Sequence, residues 1–193
     1  MSSFDKVLED ISPRCVDMYQ HFPTLRSLAS ECQSFIEMGV RGACSVWALA
    51  AGLADSPALD KWMIYLDIGN CRNLALEKMC EDNDIKPIWM QHDSRTVSTP
   101  PTDLLMIDTL HTYGQLMTEL TRHHVWTNNY IVLHDTEAPW GMQNEANDGS
   151  PKQGLRAAVL DFLLMFPDEW QIKEHHTNSH GLTILERKNA KGN

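Results

Sequence analysis

Acidic side chains recur at one kind of place in this sequence, at or just after short apolar runs. Glu37 stands in Ser34-Phe35-Ile36-Glu37-Met38, Asp67 closes Trp62-Met63-Ile64-Tyr65-Leu66, and Asp93 follows the run Lys86 to Met90. Asp108 ends the unbroken run from Leu104 to Ile107, and His134-Asp135 follows Tyr130 to Leu133. A fold that buries such carboxylates must supply donors or a cation, because an unpartnered buried charge is costly. Asp108 and Asp135 in one pocket would repel unless a cation lay between them. Carboxylate oxygens with water suit Mg²⁺ or Mn²⁺, and a nitrogen from His134 shifts the preference toward Mn²⁺ or another transition ion. His111 falls three residues after Asp108 at the start of a helix. An imidazole titrating near neutrality there can take a proton from a substrate hydroxyl. The plainer alternative is a solvated helix-start histidine.

A second group of residues could hold a nucleotide-like ligand. In Glu37-Met38-Gly39-Val40-Arg41-Gly42-Ala43-Cys44-Ser45 the glycines permit a tight strand-to-helix turn, and the helix start offers free N–H groups. The spacing is G-x-x-G and not G-x-G-x-x-G, so the dinucleotide fingerprint is absent. The loop reads equally as a plain turn. Asp67 at a strand end can accept both hydroxyls of a ribose; its alternative is a cap for a helix starting near Asn70. His92, Asp93 and Ser94 follow the third strand, where an acid can accept from an adenine amino group.

The elements that must position these groups follow from periodicity. Continuous apolar runs predict strands at 34–38, 62–67, 86–90, 103–108 and 130–133, alternating with helices over 42–53, 73–80, 113–120 and 155–166. Residues 4–31 read as helical, broken at Pro13 and Pro23. Gln171 to His175 and Leu182 to Leu185 pair as a hairpin across the turn formers Asn178-Ser179-His180-Gly181. Apolar strands alternating with helices imply an α/β, doubly wound, mostly parallel seven-stranded sheet of Rossmann-like type, with helices on both faces and an antiparallel C-terminal hairpin. In such sheets ligands collect at the carboxyl ends of the strands. One domain over 1–193 is expected, with a helical N-terminal cap at 1–31 and the core at 32–187.

The 193 residues are 42% hydrophobic and 22% charged, the balance of a folded globular chain and not of a disordered one. The longest mostly apolar stretch, Cys44 to Leu53, is half of what a bilayer span needs, so no membrane association is expected. With a net charge of -10 and no Lys/Arg run above two residues, a nucleic-acid surface is disfavoured. The acidic N-terminus has no signal-peptide pattern, and the five cysteines form no C-x-x-C pair. Reduced thiols and a cytoplasmic location are the expectation. The polar segment Glu137 to Gly154 reads as a lid, with Trp140 stacking on a sugar ring, or as a disordered surface loop. His123-His124 and His175-His176 read as surface pairs. The first thirty residues could cap a pocket or form a homodimer contact.

Glu37-Met38-Gly39-Val40-Arg41-Gly42 with Ser45, Asp67 and Ile107-Asp108-x-x-His111-x-Tyr113 resembles class I S-adenosylmethionine-dependent methyltransferases. More narrowly, the chain is similar to the small O-methyltransferase group that includes macrocin-type sugar O-methyltransferases and cephalosporin hydroxylase-like proteins. Ile131-Val132-Leu133-His134-Asp135-Thr136 and Asn178-x-x-Gly181-Leu182-Thr183 extend the resemblance, which runs from about residue 23 to residue 187. It implies an enzyme with S-adenosylmethionine as cofactor and, in the metal-dependent members, a divalent cation. By position, Glu37, Gly39, Gly42 and Ser45 would shape the methionine-end loop, Asp67 would hold the ribose, and His92, Asp93 and Ser94 would border the adenine. Asp108, His134 and Asp135 stand at the metal positions, and His111 at that of the proposed general base.

Two departures weaken the metal more than the cofactor. The group often reads Asp-Gly-Asp-His where this chain has Asp108-Thr109-Leu110-His111, and His134 stands where a second acid is usual. A metal-free site worked by His111 and Asp135 is the alternative. The resemblance thus implies methyl transfer to a hydroxyl of a sugar, glycan or other small molecule. A non-catalytic binding module and a nicotinamide-dependent oxidoreductase are the competing classes; cofactor preference and turnover separate the three.

Overall fold

The structure, a computed structural model, describes residues 3–188. Residues 1, 2 and 189–193, the ends of the expected 1–193 domain, lie outside the described residues. Two compact units meet in sequence between Asp93 and Ser94. The first carries α1 (Ser3–Ile11), α2 (Phe22–Ser30), β1 (Ser34–Met38), α3 (Ser45–Asp55), β2 (Lys61–Asp67), α4 (Leu74–Glu81) and β3 (Ile85–Gln91). The second carries β4 (Thr102–Ile107), α5 (Tyr113–His123), β5 (Thr127–His134), α6 (Leu155–Met165), β6 (Trp170–His176) and β7 (Leu182–Arg187). The seven strands form one mixed sheet in the order β3-β2-β1-β4-β5-β7-β6, a Rossmann-like architecture as expected.

In the first unit β1, β2 and β3 are parallel, with Phe35 opposite Met63 and Met63 opposite Pro87. β1 is buried along its whole length, as an interior parallel strand must be. Pro87 lacks a backbone donor and is tolerated because β3 is an edge strand. Pro23 does not break a helix. It lies in the first turn of α2, where its missing N–H has no partner to lose. α2 and α3 touch at Gly52, where a Cβ would stand 2.1 Å from the Arg26 carbonyl oxygen and 2.8 Å from the Ala29 Cβ. The Arg26 guanidinium joins α1 to α3 by pairing with Asp5 at 2.6 Å and Asp55 at 2.5 Å.

Cys15 and Cys44 are joined by a disulfide, Cα to Cα 5.8 Å, which corrects the expectation of five reduced thiols. Parity and the lack of C-x-x-C cannot reveal a pair 29 residues apart that only the return of the N-terminal segment brings together. Cys32, Cys71 and Cys80 form no disulfide.

In the second unit β4 and β5 are parallel, β7 runs antiparallel to β5, and β6 runs antiparallel to β7. β6 forms the other edge, and its Lys173, Glu174 and His175 are solvated, which discourages pairing with a further strand. α5 starts at Thr112, whose hydroxyl accepts from the Gln115 N–H at 3.2 Å. Among the described residues no helix is long and apolar enough to cross a membrane.

Candidate functional site

In the first unit the chain leaves β1 at Met38 and turns through Gly39, whose φ of +87° is open to glycine and strained for other residues. Glu37 is fully buried, and its Oε1 accepts the Ser45 hydroxyl at 2.5 Å, so strand and helix close over one carboxylate. Asp67 organises the turn from β2. Its Oδ2 accepts the backbone N–H groups of Val40 and Arg41, both at 3.0 Å, and its Oδ1 accepts that of Gly69 at 2.8 Å. Asp67 is therefore no helix cap. Asn73 caps α4, accepting the Leu76 N–H at 3.0 Å. A Cβ built on Gly42 would meet nothing within 4 Å, so the loop is open at that residue. His92 is exposed, with Nδ1 3.1 Å from the Asp93 carbonyl, and its N–H extends the ladder to the Asp67 carbonyl at 3.0 Å.

Ser94, directly after Asp93, is buried. It begins the second unit, and its hydroxyl donates to Glu119 at 2.5 Å while accepting from Gln115 Nε2 at 3.1 Å. Glu119 is fully buried on α5 and also accepts from Gln115 Nε2 at 2.6 Å and from the Thr109 hydroxyl at 2.8 Å. Sequence reasoning missed this network. The available signal was Gln115 and Glu119, four apart on the face that carries Leu116 and Leu120.

The second unit gathers Asp108, His111 and Asp135 at the carboxyl ends of β4 and β5. One ligand atom from each lies within 4.8 Å of the others. His111 Nε2 stands 3.0 Å from Asp135 and 3.5 Å from Asp108. Asp135 reaches this position from the left-handed region, φ +57°, which aspartate tolerates better than most residues. His134 flanks the group, its Nδ1 3.1 Å from Asp135 and 3.6 Å from Asp108, its Nε2 3.0 Å from the Ser179 carbonyl. The sequence assigned the nitrogen of a metal set to His134; two imidazole nitrogens, His134 Nδ1 and His111 Nε2, lie at similar distances from the two acids.

His111 is held from its other side by the segment between β5 and α6. Glu145 places a carboxylate oxygen 2.9 Å from Nδ1, and its N–H donates to the His111 carbonyl at 2.9 Å. Trp140 stacks on the imidazole, ring centres 5.7 Å apart and planes within 18°. Asn144 Oδ1 accepts the N–H groups of Tyr113 and Gly154 at 2.9 and 2.8 Å, closing the segment against the start of α5. The segment packs on the start of α5, and Trp140 covers His111.

Burial alone would push both imidazoles down, but the Asp108 and Asp135 carboxylates outweigh it, holding His111 up at about 9 and His134 at about 10. Burial would raise the two acids, yet hydrogen bonds from the histidines bring both below the ordinary carboxylate value. At neutral pH His111 therefore carries a proton and serves as a donor. It becomes a base only when another cation neutralises the carboxylates it shares. Two hard oxygens with one imidazole nitrogen fit Mn²⁺, and with added water Mg²⁺.

Two expected surface histidines are buried. His123 Nε2 lies 2.8 Å from the Ser94 carbonyl, and His124 packs against Phe162 and Phe166. The end of α5 turns inward there, which adjacency in sequence does not reveal.

Solved structures share this architecture. An O-methyltransferase from Bacillus cereus in complex with S-adenosylhomocysteine superimposes with a TM-score of 0.64 at 12% identity, covering 97% of this chain and 92% of that one. The fold is the methyltransferase fold. The methyltransferase PaMTH1 of Podospora anserina, bound to S-adenosylhomocysteine, gives 0.55 at 15% identity over 96% of this chain and 86% of its own. The N-methyltransferase NodS from Bradyrhizobium japonicum, with the same ligand, gives 0.57 at 14% over 96% and 97%. The sequence matches no family model and no curated protein. At such identities the likeness is one of fold, and the methyltransferase fold carries acceptors that differ in the atom methylated.

Proposed function

We propose that the chain is an S-adenosylmethionine-dependent O-methyltransferase of one domain, acting on a hydroxyl of a sugar or other small molecule with the help of a divalent cation. The observation that carries this reading is the convergence of Asp108, His111 and Asp135 at strand ends of the methyltransferase fold. The Glu37–Ser45 loop, tied at Val40 and Arg41 by Asp67, would receive the methionine end and ribose of the cofactor. His92 and Asp93 would border the adenine. S-adenosylmethionine supplies an electrophilic methyl on sulfur.

Asp108 and Asp135 would hold the cation, with His134 Nδ1 beside them, and the bound cation would supply acidity to an acceptor hydroxyl. His111 Nε2, once the carboxylates are so engaged, would take the hydroxyl proton, while Nδ1 keeps its proton toward the Glu145 carboxylate. Glu145 and Trp140 orient the imidazole and exclude water. Fixing donor and acceptor in line supplies on the order of 7–11 kcal/mol of the barrier.

The test is a panel of sugar and phenolic acceptors assayed for methyl transfer, with and without chelator. His111→Ala is expected to lower turnover about 10²–10⁴-fold, the range of a general base, and to leave cofactor affinity unchanged. Full turnover in that variant would remove the base role.

A further inference from the structure

The first unit contains a redox-sensitive covalent link that the methyl-transfer reading does not use. Cys15 lies between two short 3-10 turns, Ser12–Arg14 and Tyr19–His21, and Cys44 is the last residue before α3. The bond therefore fastens the N-terminal segment to the end of the Glu37–Ser45 loop. Just before that anchor, Arg41 and Ala43 hold φ of +34° and +56°, left-handed backbone that side-chain-bearing residues disfavour. Such a turn needs outside restraint. Asp67 restrains its middle through the Val40 and Arg41 N–H groups, and Cys15 restrains its end. The Arg41–Asp17 pair at 3.5 Å joins the same two segments but is solvated.

The two sulfurs differ in access. Cys15 is buried at 2% exposure and Cys44 is partly exposed, so an incoming thiolate meets Cys44 first. Of the three thiols outside the disulfide, Cys32 and Cys80 are buried, and burial holds the Cys80 thiol up at about 12; Cys71 is partly exposed, with burial and the neighbouring Asp67 carboxylate raising its thiol pKa.

We propose that Cys15–Cys44 is a thiol–disulfide exchange site for small thiols such as glutathione, and that its reduction loosens the Glu37–Ser45 loop and weakens cofactor binding. A thiolate attacks Cys44 sulfur, the S–S bond breaks, and Cys15 leaves as a thiolate that takes a proton from water. A second thiolate attacks the mixed disulfide, freeing the Cys44 thiolate and one molecule of the oxidised small thiol. Two electrons pass from the small thiol to the protein, and oxidised small thiol reverses the step. The second half of the proposal rests on reading Glu37–Ser45 as the cofactor loop.

The experiment uses the full chain, before and after glutathione. Maleimide labelling under denaturing conditions counts thiols, and calorimetry measures S-adenosylhomocysteine affinity of chain that circular dichroism shows to be folded. Three adducts are expected in the oxidised chain, from Cys32, Cys71 and Cys80, and five after reduction. Affinity should fall about tenfold on reduction, as the competent loop becomes a minor conformer. Cys15→Ser and Cys44→Ser should each show the weaker affinity without responding to glutathione, while Cys71→Ser responds like the parent. Five adducts after exposure to oxidised glutathione would overturn the exchange site, and equal affinity of oxidised and reduced chain would overturn its effect on the loop. Three adducts with no binding in either state would overturn the cofactor reading, and with it the effect on the loop, while supporting the exchange site.

Discussion

Single side chains in this molecule act mainly through the charge they share. Asp108 and Asp135 were legible because each ends a visible apolar run, and His111 because it follows at helical distance. Its partners were not legible. Glu145 lies 34 residues from His111 in sequence, and no local pattern joins them. Trp140 read as a lid aromatic that would stack on a sugar ring, and its stacking on His111 was not legible. Glu119 escaped because an acid on a helix normally reads as solvated, and here the face it occupies is inside. Removing it strands the hydroxyls of Ser94 and Thr109 and the amide of Gln115. Glu119→Ala is expected to cost about 2–4 kcal/mol of stability, since each stranded buried group costs about 1–3 kcal/mol. Urea denaturation of the variant beside the parent measures it, and a loss below about 0.5 kcal/mol would show that the network carries no such weight.

Helices and strands were the most readable level, because parallel strands buried on both faces must be apolar throughout and their helices must not be. β1, β2 and β4 appear within a residue or two of their expected ends. The ends moved where hydrogen bonding and not hydropathy decides them: α3 starts at Ser45 after a left-handed turn, not at Gly42. Gly52 shows packing that the alphabet of apolar and polar residues cannot express, since it reads as a weak spot in α3 and is instead where α2 approaches. Gly52→Ala should destabilise by about 1–3 kcal/mol through overpacking, against the slight gain expected from helix propensity alone. A thermal melt of that variant decides the sign.

For the whole molecule, the architecture was readable and the covalent and titration behaviour was not. The disulfide and the buried histidines both depend on which segments return to meet which. The disulfide closes a loop 29 residues long, worth roughly 3–4 kcal/mol by chain entropy. Burial lowers the pKa of His123 and His124 below the ordinary value. Above the unfolded-state pKa both states are neutral and these groups contribute nothing. As pH falls through about 6.5 the unfolded chain takes up protons that the folded chain resists, so stability declines on acidification. His124→Phe should flatten that decline in denaturation series between pH 7 and about pH 5; an unchanged slope would mean that His124 titrates normally when folded.

Cofactor binding is the claim on which every chemical step above depends. Metal-stripped protein titrated calorimetrically with S-adenosylhomocysteine should give saturable binding in the micromolar range, lost in Asp67→Ala. A separate heat on adding Mn²⁺ should disappear in Asp108→Ala. No heat with S-adenosylhomocysteine, alone or with Mn²⁺, would contradict the methyltransferase reading and leave the strand-end acids with a structural role.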